Sequence, residues 1–276
     1  MLTLTLTLAA ALATAANDQD AKAVDAGAGA GAVWTPLFNG KNLDGLYTFL
    51  QKHGRNADPD GVITIEDGTI HLYKNAEDKS QVVMGYIGTD KEYGDYHLRL
   101  QYRWGQKKFE PRYKLKRDAG LYYHVTGPDA VWPRGLQYQI EQTNVGDLIT
   151  LFGMQLDTTI DPKTADFVMP KYPAYQAPKD GGQPHVLGGK GIAYQAHVAG
   201  SVENDDWNTV EVIARGTEIV HILNGKVVNQ GTNVRFLDPE KPDAKPVPLT
   251  RGRILLEIEA AEMWFRNVEI RPLEAK

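Results

Sequence analysis

The chain predicts an all-β fold, a two-sheet antiparallel β-sandwich or jelly roll, from three observations. From Trp34 onward apolar residues recur with a period of two, no long segment holds a helical period, and Gly, Asn, Asp and Pro punctuate the runs. Short strands joined by turns, with no strand–helix alternation, pack as two antiparallel sheets rather than as a parallel sheet wrapped in helices.

The segment YHLRLQYRW places Tyr96, Leu98, Leu100, Tyr102 and Trp104 on one face and His97, Arg99, Gln101 and Arg103 on the other. In GLYYHV, Leu121, Tyr123 and Val125 point one way and Tyr122 and His124 the other. In LQYQIE, Leu136, Tyr138 and Ile140 fill the core and leave Gln137, Gln139 and Glu141 as a polar row. NTVEVIA, EIVHIL and RILLEIE repeat the theme, with turns in IEDGTI and LNGK. After a break at Ala260-Ala261, Met263, Phe265, Val268 and Ile270 begin a further strand. Residues 154–200 carry little apolar periodicity and predict a long excursion over one face, with Tyr172, Tyr175 and Tyr194 placed to close over a ligand.

A chain of 276 residues with 42% hydrophobic content can bury a full core, and a single domain over 34–273 accounts for the pattern. The net charge of −5 leaves no basic footprint, which excludes nucleic acid and anionic membrane surfaces as partners. The absence of cysteine removes disulfides, thiolate ligands and cysteine nucleophiles.

The weakly apolar run Leu2–Ala16 resembles the hydrophobic region of a secretory signal, with small-residue cleavage sites after Ala15 and Ala23, although no basic residue precedes it. It predicts a signal peptide over 1–23, a flexible spacer over 24–33 and a periplasmic or secreted protein. The run is too short to span a membrane, and no later segment qualifies.

EIEAAE, Glu257–Glu262, matches the spacing of the E-x-D-x-x-E carboxylates of retaining sandwich glucanases, with Glu259 in the Asp place. Glu257 and Glu259 share a strand face, but Glu262 lies beyond the turn, and a hairpin separates its side chain from theirs. The turn therefore argues against a retaining glucanase using Glu257 and Glu262, which stays a third and weaker reading that needs a bulge to realign Glu262.

Four segments in order, WTPLFNGKNLDGL, DAGLYYHVTGPDAVWPRGLQYQIEQTNVGDL, DWNTVEVIARGTEIVHILNGKVV and GRILLEIEAAEMWFRNVEIRPL, resemble the signature segments of the 3-keto-disaccharide hydrolase domain family over about residues 34–273. Departures from that pattern are Leu46-Tyr47 where the family usually has Trp, Ala119-Gly120 for Ser-Gly, Gln137 for a common Glu, and Glu257 for a frequent Gln. The resemblance implies a concanavalin A-like jelly roll acting on, or binding, sugars oxidised at C3.

A ketone at C3 acidifies the C2 proton, so a base can remove it and expel the anomeric substituent, after which water adds back. Such chemistry needs a base, a group that stabilises the enolate and an acid, and no carboxylate pair at fixed separation. His124 and Glu141 are the candidate catalytic residues, because both are expected to look out from one sheet face. Tyr122, Gln137, Gln139, Arg117 and Asp147 are candidate substrate contacts, and Trp132, in the Pro-punctuated VWPRG loop, is a candidate sugar platform. A divalent metal is an open possibility, with His124, Glu141, Asp147, His185 and His197 as its available ligands, though no H-x-x-x-H spacing supports it. Two functions fit this set: an exported enzyme cleaving 3-keto-glycosides by elimination and hydration, and a non-catalytic carbohydrate-binding sandwich using the same face.

Overall fold

In the computed structural model, residues 33–274 are described, except 201, 239, 242 and 244. The expected signal segment and all of the spacer but Val33 lie outside the described residues. No helix among them is long and apolar enough to cross a membrane.

The strands form two antiparallel sheets, as the period-two pattern predicts. The smaller runs in the order β13 (Ile192–Gln195), β10 (Leu148–Leu151), β9 (Arg134–Glu141), β8 (Asp118–Thr126), β18 (Arg253–Ile258), β6 (Gly85–Thr89), β2 (Leu46–Leu50) and β3 (Gly54–Arg55). The larger runs β12 (Gln183–Gly188), β11 (Met154–Ile160), β16 (Lys226–Phe236), β15 (Glu218–Leu223), β14 (Asn208–Arg215), β7 (Tyr96–Lys108), β19 (Ala261–Pro272), β5 (Thr69–Leu72) and β4 (Ile63–Glu66). Two short strands border it, β1 (Thr35–Pro36) on β19 and β17 (Val247–Pro248) on β16.

The core lies between the sheets and is built by the alternating residues. Tyr96, Leu98, Leu100 and Tyr102 of β7 meet Leu136, Tyr138 and Ile140 of β9 and Ile254, Leu256 and Ile258 of β18 in one buried cluster. Each such side chain withdrawn from water contributes on the order of 1.5–3 kcal/mol. A one-residue slip of any of these strands would turn its apolar set out to solvent, so burial fixes the register.

Two expectations are corrected. Residues 154–200 are not one irregular excursion: they supply β11, β12 and β13, leaving a connection over 161–182 with two short 3₁₀ turns, Pro162–Thr164 and Pro178–Asp180. The alternation in β8 also breaks. The pairing of β8 with β9 shifts register between Tyr123 and Thr126, and that with β18 between Arg253 and Leu255. His124 sits at this bulge with φ of +51°, an uncommon conformation for a side-chain-bearing residue. The extra residue reverses the facing of the rest of the strand. Tyr123 remains in the main core, whereas Val125 turns outward to join Tyr122 in an apolar cluster on the other face of the sheet. Gly252 lies against the bulge, where a Cβ would overlap the His124 backbone.

Candidate active site

The outward residues of the smaller sheet form a cleft of about 530 Å³. Its floor comes from three neighbouring strands: Asp118 on β8, Gln137, Gln139 and Glu141 on β9, and Glu257, with Glu259 just after it, from β18. The polar row expected on β9 is thus present. Gln137 and Gln139 are nearly buried, which fixes their amides. Gln137 Nε2 donates to Glu257 Oε2 at 2.7 Å and to Gln139 Oε1 at 2.8 Å, and Gln139 Nε2 donates to Asp118 Oδ1 at 3.1 Å. Tyr122, fully buried beneath, donates its hydroxyl to Glu257 Oε1. The Gln137–Glu257 contact is possible because Gly120 lies between them in the sheet, where a Cβ would overlap both side chains.

The walls are aromatic and cationic. Trp132, 45% exposed, stands on the β8–β9 connection, and Tyr172 from the 161–182 segment stacks on Tyr194 of β13 with centroids 4.7 Å apart. Arg112 reaches in from the connection between β7 and β8, pairing with Asp118 and, at 3.0 Å, with Glu259 Oε1. Glu141, at the end of β9, accepts from Asn144 Nδ2 and lies 3.9 Å from Lys116 Nζ. Asp147 Oδ1 accepts from both the backbone N–H and ring Nδ1 of His197, at 2.8 and 2.6 Å.

Arg112 pairs with Asp118 and Glu259 but not with Glu257, and burial is the main influence on the protonation of all three carboxyls. Burial, reinforced by Glu259 and Asp118, pushes the Glu257 carboxyl well above the usual range. Burial also raises Asp118, with Glu259 adding to the effect. Burial raises Glu259 too, but Arg112 offsets part of this. Among the described residues no cation pairs with Glu257, which favours its protonated form. Because its folded pKa is raised, its contribution to stability is full at low pH and is lost as pH rises through that folded value. Glu257→Gln, which mimics the protonated acid, should keep the fold at neutral pH and flatten the alkaline decline of stability. Urea midpoints across that range check this, and parallel declines in the two proteins would show that Glu257 is already ionised.

Some expected residues lie elsewhere. His124 is fully buried, with Tyr96 and Tyr123 edge-on to its ring at 6.0 and 5.5 Å and, among the described residues, no hydrogen-bond partner for either nitrogen. The bulge turns it into the core, so it does not face the cleft with Glu141. Burial drives its pKa down to about 4. Arg117 lines a separate cleft with Trp104 and Glu203, bonded to Gln142 at 3.2 Å, and Tyr175 turns inward to Gln230. Of the five potential metal ligands, Asp147 bonds to His197 and lines the same cleft as Glu141, but among the described residues no three His, Asp or Glu side chains converge as a ligand set.

Glu262 lies in β19 of the other sheet, held by the backbone N–H groups of Gln106 and Lys107 and by His71. A glucanase pair with Glu257 is ruled out by that separation. Asp118 and Arg112 are site residues that the sequence pattern does not single out. Counting back by twos from Tyr122 reaches Gly120 and Asp118, whereas Arg112, in an irregular segment, gives no periodic signal.

Fold and cleft together define a jelly-roll sandwich with a polar, aromatic-walled pocket. The model of the 3-keto-alpha-glucoside-1,2-lyase-like domain matches residues 33–271, and the chain belongs to that family. Among curated proteins none matches it. A crystal structure from Parabacteroides distasonis ATCC 8503, described provisionally as a glycosyl hydrolase, is 19% identical, with 92% of this chain and 97% of that one covered and a TM-score of 0.51. At that identity the likeness is one of fold. A second structure from the same organism, similarly described, is 21% identical over 87% of this chain and 100% of that one, with a TM-score of 0.49. A carbohydrate-binding module from Bacillus subtilis is 11% identical over 82% and 95%, with a TM-score of 0.41.

Proposed function

We propose that the protein is an exported enzyme that cleaves 3-keto-glycosides by removing the C2 proton, expelling the anomeric substituent and adding water. The carrying observation is that Glu141, Lys116 and Arg112 line one cleft of disaccharide size, in a member of this family. Glu141 takes the C2 proton. The C2–H electron pair passes into the C2–C3 bond as the ketone oxygen becomes an enolate, which Lys116 and Arg112 stabilise. The enolate then collapses to a C1–C2 double bond and the glycosidic oxygen leaves, taking the proton that Glu141 acquired. Water adds at C1 and a proton returns to C2. Gln137 and Gln139 hold sugar oxygens, Trp132, Tyr172 and Tyr194 face the rings, and protonated Glu257 serves as a fixed hydrogen-bonding group.

The aromatic wall also suits a binding module. Turnover of a chromogenic 3-keto-glucoside, with the unoxidised glucoside left intact, supports the enzyme. Binding of unoxidised glycans with no turnover of either would establish the module instead. Export rests on the Leu2–Ala16 run: the mature chain is expected to begin near Ala16 or Val24, and Edman sequencing that finds Met1 on cytoplasmic protein contradicts it.

A further inference from the structure

We propose that Asp129 is a positioning residue: it pins the segment from Gly127 to Pro133 over the outer face of the smaller sheet and so fixes Trp132 as a wall of the cleft. The proposal rests on the reading that this cleft holds a sugar. Tyr47 of β2 and Tyr86 of β6 point outward from the sheet, yet are only 2% and 0% exposed. Both hydroxyls donate to Asp129 Oδ1, at 2.8 and 2.7 Å. Arg253 of β18 donates to the same oxygen at 2.7 Å and to the Gly127 carbonyl at 2.8 Å. Arg55 of β3 reaches Oδ2 at 3.3 Å and lies 3.6 Å over the Tyr47 ring.

One carboxylate in a surface connection thus gathers donors from four strands, and none of these donors lines the cleft. Burial opposes ionisation of Asp129, but the bonds from Tyr86, Arg253 and Tyr47 outweigh it and hold its pKa at about 2. Trp132 follows in the same segment, just before β9, and is the only residue of the segment in the cleft wall. The contacts at Gly127 and Asp129 fix the segment before Trp132, and the start of β9 fixes it after. An exposed indole needs such restraint to serve as a stacking plane, because otherwise ordering it on binding costs affinity. The network therefore acts on how firmly a sugar is held and leaves the reacting groups untouched.

The test uses Asp129→Asn, the milder Tyr86→Phe, Trp132→Ala and the Asp129→Asn/Trp132→Ala double variant of the whole protein. Asp129→Asn is expected to speed backbone hydrogen exchange in 127–133 with the rest of the chain unchanged, and Tyr86→Phe to do so more weakly. KM for a 3-keto-glucoside should rise about 10-fold in Asp129→Asn, the worth of roughly one aromatic contact, with kcat within about 2-fold. Because Asp129 acts through Trp132, adding Asp129→Asn to Trp132→Ala should raise KM no further. Additive effects, a loss in kcat at unchanged KM, or unaltered exchange in 127–133 would each overturn the proposal. Exchange is read without substrate, so it tests the pinning even if wild-type protein does not turn over 3-keto-glucosides, which would count against the proposed function alone.

Discussion

Glu141→Gln should lower turnover of 3-keto-glucosides by at least about 10²-fold, the usual worth of a positioned proton-transfer group. The amide keeps an oxygen to accept from Asn144 Nδ2, so the turn beyond β9 stays in place. Lys116 keeps its bonds to Thr143 Oγ1 at 2.8 Å and Asn144 Oδ1 at 3.2 Å. KM and the thermal midpoint should therefore change little, and the loss should appear in kcat. Steady-state kinetics on the oxidised glucoside measures it. A variant within about 3-fold of wild type would move the base to another carboxylate of the cleft.

His124→Leu should stabilise the protein, an unusual outcome for a fully buried position. Among the described residues neither His124 nitrogen has a partner, and an unpaired buried polar group costs about 1–3 kcal/mol, which an apolar side chain of similar size removes. The larger effect comes in acid. Burial lowers the folded pKa from 6.5 to about 4, so the neutral ring's contribution is present above the unfolded value and lost as pH falls toward the folded one. That loss amounts to about 3 kcal/mol, and the variant should escape it. His221 provides the contrast. It is equally buried and lowered to about 3, but its Nε2 meets the Tyr123 hydroxyl at 2.7 Å, so His221→Leu should destabilise. Denaturant unfolding at pH 7 and pH 4.5 reads both. Destabilisation of His124→Leu at pH 7 would mean that its nitrogens are satisfied in solution.

Glu141 and His124 also mark how far alternation alone locates a side chain. It places Leu136, Tyr138 and Ile140 inside and Gln137, Gln139 and Glu141 outside, and β9 follows it because its pairing with β10 is regular. The same reasoning fails at His124, because a bulge is set by how two neighbouring strands align, and nothing within GLYYHV marks it. Glu257 and Glu259 are legible in the sequence as outward residues. Their company is not, since Asp118 and Arg112 join them only through the order β9-β8-β18 and a connection without periodicity. In 154–200, β12 gives no strand signal because it is an edge strand, exposed along most of its length and therefore lacking the apolar alternation that marks a buried one.

The central claim is that cleavage begins with removal of the C2 proton, and the fate of the hydrogen on C2 tests it most directly. When the purified protein acts on a 3-keto-glucoside in deuterated water, sampled early against an enzyme-free control, the hydrated product should carry deuterium at C2. Any unsaturated product released before hydration should carry no hydrogen there. Hydrated product that retains its original C2 hydrogen in full would show that the bond at C1 breaks without it, and Glu141 could not then be the base that starts the reaction.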